Sequence, residues 1–169
     1  MERTDPQPAA DEKTTLLQFL DFQRATLLLK AEGLSKDELA QPLPSSSLTL
    51  AGLLKHLALV EDDWIQTKFS GLPEREPWAS APWDQDPDWE FHTAVEDDPE
   101  GLRNLYRDAC ERTRRSVAEA DLDDLSAGTS REGHRWNLRW ILTHLIEETS
   151  RHNGHADLLR EAIDGTVGE

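Results

Sequence analysis

"THLIEETSRHNGH", residues 143–155, sets His144, Glu148, His152 and His155 at gaps of four, four and three. Side chains at those gaps stack on one side of an α-helix. At the helical rotation per residue the four fall within an arc of about 80°. Trp140 and Leu158 flank one edge of that arc, and Ile141, Leu145 and Leu159 the other. Thr149, Asn153, Asp157 and Arg160 lie opposite. The spacing therefore predicts a long last helix, about 137–163, with an ionisable stripe on its apolar, core-facing side. A stripe meant for water would lie on the reverse side.

Working outward, other segments repeat the helical period. Residues 13–32 place Leu16, Leu17, Leu20, Gln23, Leu27 and Leu28 on one face and stop at Gly33. "SKDELAQPLPSSS" allows one helical turn before Pro42 and Pro44 break it. A second long helix is expected from about Ser47 to Phe69, with a serine cap, Leu50, Leu53, Leu54, Leu57, Val60 and Trp64 on one face, and "SGLP" as its stop. Pro99 opens a third, 99–120, carrying Leu102, Leu105, Tyr106, Ala109, Thr113 and Val117. Between the second and third lie residues 71–98, with four prolines before Asp98, many acids, and Trp78, Trp83 and Trp89. Tryptophan is costly to leave in water, so this is expected to be a long ordered loop. No strand alternation and no internal repeat appears. The fold expected is all-α, an antiparallel four-helix bundle spanning residues 13–163 behind a disordered lead-in at 1–12.

Length and charge narrow the function. The 169 residues suit one domain with a full core. The formal net charge is −16, which repels phosphate backbones and anionic lipid, so nucleic acid and membrane are poor partners. The N-terminus lacks the apolar run of a signal peptide, and no stretch approaches the ~20 apolar residues of a membrane span. A single cysteine, Cys110, rules out an intrachain disulfide and four-cysteine zinc sites. The setting expected is a reducing cytoplasm. Oligomeric state is left open, a homodimer being compatible with a bundle of this size.

A carboxylate facing a core must be paired or must bind a metal. Glu148 and His152, at i and i+4, can chelate one divalent ion from successive turns, with zinc foremost and nickel, iron or manganese as alternatives. A buried hydrogen-bonded pair accounts for the same spacing. Two ligands make a poor site, and His56, among Leu53, Leu57, Val60 and Trp64 on the second helix, offers a third. His144 is expected to be structural. His155, one turn past the pair, could orient a bound group or serve as a general base. His92 and His134 fall in loops and are expected to be solvated, and Cys110 reads as a small buried core residue.

At these residues the chain resembles the DinB/YfiT-like family of four-helix-bundle metalloenzymes. "LLKHLALVE", residues 53–61, is similar to that family's second-helix motif with its metal-binding histidine. "HLIEETSRHNGHADLLRE", residues 144–161, is similar to its last-helix motif, in which a ligand pair four residues apart precedes a short glycine-containing segment. Many members carry histidine at both positions of the pair; here Glu148 fills the first, as in the mycothiol-dependent maleylpyruvate isomerase branch. The resemblance covers about residues 13–163. It implies a divalent metal held by His56, Glu148 and His152, with water or substrate completing the coordination. It also implies a low-molecular-weight thiol cosubstrate such as mycothiol, bacillithiol or glutathione. The function expected is a metal-dependent S-transferase joining that thiol to a small electrophile. The alternatives are a metal-stabilised scaffold without activity and a metal-dependent hydrolase.

Overall fold

The computed structural model describes residues 3–168, and among them every regular element is helical. Four long rods make an all-α bundle: α1 (Glu12–Lys30), α3 (Leu50–Glu61) continued by a π-helix (Asp62–Phe69), α5 (Pro99–Val117) and α6 (Leu138–Asp164). Two short helices, α2 (Lys36–Leu39) and α4 (Trp89–Ala94), lie in the connections.

Local chemistry sets the ends. Asp11, Thr49, Asp98 and Asn137 each accept a hydrogen bond from a first-turn backbone N–H of α1, α3, α5 and α6. The cap of α3 is thus Thr49 rather than the serine expected at 47, because its hydroxyl is the one that meets the N–H of Gly52, at 3.0 Å. Gly165 closes α6 at φ 77°, a backbone that disfavours any side chain. After Glu61 the second rod widens: Ser70 N–H reaches back five residues to Ile65 O, at 3.0 Å. The lead-in from residue 3 to Asp11 is irregular and touches α1 through Arg3 over the Phe22 ring and Gln7 N–H on Gln18; residues 1 and 2 lie outside the described residues.

Helix directions do not simply alternate. Glu12 meets Arg139, Gln23 meets Asn153, and the Lys30 carbonyl meets Arg160, so α1 and α6 run parallel. Lys55 meets Asp97, Asp62 meets Arg112, and Gln66 meets Ser116, so the second rod and α5 are parallel too. The pairs α1/α5 and α3/α6 are antiparallel. Two parallel neighbours require a return crossover, and residues 70–98 supply it. That stretch, expected to be a loop, holds a short 3₁₀ turn (Trp78–Ser80) and α4. Trp78 is buried and donates its indole N–H to Asp62, and Asp62 also receives Arg112, which pins the crossover to the bundle.

The core divides into two apolar clusters. Leu27, Leu53, Leu57, Tyr106, Cys110 and Leu159 belong to one, and Leu20, Ile65, Val117, Leu138, Ile141 and Leu145 to the other. A polar layer separates them along each rod. Arg24 grips Glu61 through two 2.6 Å bonds, and Thr113 donates to the same carboxylate at 2.7 Å; all three are buried. A buried carboxylate paired in this way is satisfied rather than orphaned.

Candidate metal centre

Helices α3 and α6 face each other antiparallel, so a histidine midway along α3 meets the stripe of α6. His56 Nε2 lies 3.4 Å from Glu148 Oε1, and His152 Nε2 lies 3.3 Å from the same oxygen. One ligand atom from each of His56, Glu148 and His152 falls within 4.8 Å of the others, the arrangement of a group that could hold a metal ion. Bonds of about 2.0–2.1 Å in a tetrahedral shell put neighbouring ligand atoms about 3.3–3.4 Å apart, matching the spacing around Glu148 Oε1.

The outer ring nitrogens have polar partners of their own. His56 Nδ1 lies 2.9 Å from Glu90 Oε1, where an Nδ1–H would donate to the carboxylate. With its proton there, the ring would turn an Nε2 lone pair toward Glu148. His152 Nδ1 lies 3.3 Å from His155 Nδ1, so one donates to the other. Burial and the neighbouring His56 push the His152 imidazole below the ordinary histidine range, against the pull of Glu148, and favour a neutral ring. Burial opposes ionisation of Glu148, but the hydrogen bond with His56 and the positive charge that His152, His56 and His144 bring when protonated outweigh it and hold the carboxyl below the usual glutamate range. With both Nε2 atoms bare and Glu148 ionised, the cluster would be unfavourable until a cation enters. The donor set fits a divalent metal. The side chains of His56, His152 and Glu148 keep 18%, 11% and 21% of their surface exposed, so a small molecule can reach the group.

The chain matches the model of the mycothiol-S-transferase family over residues 15–165. It belongs to that family. No curated protein matches it. Membership in the mycothiol-S-transferase family carries the expected DinB/YfiT-like resemblance over nearly the whole bundle. Among the described residues no helix is long and apolar enough to cross a membrane.

The remaining stripe residues divide by environment. His155 stands behind His152 and lines a pocket of about 270 Å³ with Ser45, Ser46 and Leu48. His144 packs between aromatic rings, stacked on Trp140 at 5.3 Å and edge-on to Trp64 at 4.7 Å. The core-facing side of α6 is broader than the sequence suggests. Thr149 and Asn153, expected opposite the core, are buried; Asn153 donates to Gln23 on α1, and Thr149 to the Leu145 carbonyl. Trp140 and Leu158, expected at the buried edge, are 46% and 56% exposed. The reason is α1, which packs along the Thr149 side and rotates the buried arc toward it. His92 and His134 are exposed, as expected of loop positions, although His92 lies on α4 and its hydrogen bond with Asp86 raises its pKa.

Sequence reasoning missed Glu90 and Phe91. Both lie on α4, and Phe91 stacks on the His56 ring at 4.6 Å. Glu90 also lines a cleft of about 350 Å³ walled by Trp78, Trp83 and Leu59. One acid in a strongly acidic stretch without a long period carries no signal of this placement.

Proposed function

We propose that this protein is a divalent-metal-dependent thiol S-transferase of the mycothiol type, acting in the cytoplasm on a small electrophile. The observation that carries the proposal is the convergence of His56 Nε2, His152 Nε2 and Glu148 Oε1 in a chain of the mycothiol-S-transferase family. Bound there, zinc or a similar ion would lower the pKa of a thiol so that it is a thiolate at neutral pH.

The chain's own groups have separate tasks in this reading. Two neutral imidazoles and one carboxylate leave a net positive charge at a divalent site, which favours an anionic sulfur. Three protein ligands leave an open position, and the partial exposure of all three gives access to it. The thiol gives its proton to solvent and its sulfur forms the new bond to the electrophilic carbon; in a substitution the electron pair of the broken bond leaves with the leaving group, and in an addition it moves to the neighbouring carbon, which takes a proton from solvent. His155, facing the Nδ1 edge of His152, supports a role in orienting that ligand more than one as a base at the reacting sulfur.

Cobalt substitution tests the proposal. A sulfur-to-cobalt charge-transfer band should appear when mycothiol is added, and should be absent in His152→Ala but retained in His134→Ala. A cobalt-loaded protein whose spectrum ignores mycothiol, bacillithiol and glutathione would instead support a scaffold or a hydrolase.

A further inference from the structure

Helix α4 lies unusually close to α3. A Cβ at Gly52 would meet Phe91 Cδ1 at 2.9 Å, so the bare glycine is what admits the aromatic ring. Phe91 then lies over His56 with an interplanar angle of 24°, and its neighbour Glu90 reaches the ring's Nδ1 at 2.9 Å. Glu90 is 4% exposed, and its second oxygen, Oε2, is buried with no hydrogen-bond partner. A buried carboxylate oxygen without a partner is destabilising, so its retention calls for a return elsewhere.

We propose that Glu90 is a positioning residue of the metal centre, acting through His56. This rests on the reading of His56 as a ligand. Glu90 holds His56 as the Nδ1–H tautomer, which turns the Nε2 lone pair toward Glu148 and His152. Phe91 fixes the ring plane, and Gly52 makes room for both. Histidine ligands commonly donate their outer N–H to a carboxylate, which raises the basicity of the inner nitrogen. Charge supplies a second effect. The Glu90 carboxylate lies beyond His56, outside the ligand set, and adds its field to that of Glu148, while Lys55, the buried amine next to His56 in α3, is committed to Asp97 and Thr93. The crossover between the parallel rods thereby becomes part of the site.

Two measurements test this, and one needs no metal. In the metal-free protein at pH 8, ¹⁵N shifts of His56 should report the Nδ1–H tautomer, and Glu90→Ala should move the ring toward Nε2–H, which can donate to Glu148. Competition titration with zinc should show Glu90→Gln, which preserves shape, weakened by about 10- to 100-fold. Retention of the Nδ1–H tautomer in Glu90→Ala, or zinc affinity of Glu90→Gln within twofold of the parent, overturns the inference. A parent protein that binds no zinc removes the metal reading itself and leaves the tautomer to decide the role of Glu90.

Discussion

Glu148 is the one anionic member of the three-residue group, and its carboxylate oxygen lies between two imidazole nitrogens at 3.3 and 3.4 Å. In Glu148→Gln the size stays and the charge goes, so metal affinity should fall at least tenfold, about 1.4 kcal/mol. Glu148→His should recover metal at least in part, by building three imidazoles. Metal titration of the two variants beside the parent checks both; unchanged affinity in Glu148→Gln would take the carboxylate out of the site. At this scale the sequence was informative wherever a residue's partners shared its helix. Glu148 and His152 announced themselves by a gap of four, and His56 by standing alone among leucines. Glu90 was hidden because its partner is 34 residues away and across a helix interface, where no period connects them.

Between elements the bundle is fastened by charge as well as by oil. Arg24 on α1, Glu61 at the end of α3 and Thr113 on α5 meet in a layer with no access to water. Removing Glu61 leaves the buried Arg24 with Asp21, at the rim, as its remaining carboxylate, so Glu61→Leu should destabilise by up to about 3–5 kcal/mol, and pairing it with Arg24→Met should recover part of the loss. Urea unfolding of the single and double variants gives the comparison. Asp21 works at the rim of the same layer. Burial opposes its ionisation, but Arg114 and Arg24 prevail and hold its carboxyl below the usual aspartate range. A folded value below the unfolded one, about 3.9, gives stability that is present above that pH and is lost as pH falls through the folded value. Asp21→Asn should therefore lower the urea midpoint at pH 7, and the gap from the parent should narrow as pH falls below about 5 and close below the folded value; a gap independent of pH would contradict this. The helices themselves were legible from apolar spacing, but their directions were not. Spacing says which face is buried and nothing about which neighbour covers it, which is why α1 shifted the buried arc of α6 onto Thr149 and Asn153.

Across the whole molecule, the bundle has its polar layer inside and the His56, Glu148 and His152 group partly open to solvent, and Cys110 sits in the sealed part. That thiol is fully buried, and burial together with the Glu61 charge pushes its pKa up to about 12. A thiol reagent such as dithionitrobenzoate should leave the native protein unmodified over minutes and label one equivalent once urea unfolds it, the chain having a single cysteine. Rapid labelling of the folded protein would show that the core opens around α5. A consequence reaches into cell physiology. Small thiols circulating at high concentration decorate exposed protein sulfhydryls as mixed disulfides whenever the cell is oxidised. A chain whose one thiol is fully buried offers them no partner for a mixed disulfide. Cells challenged with diamide should therefore yield this protein at its unmodified intact mass.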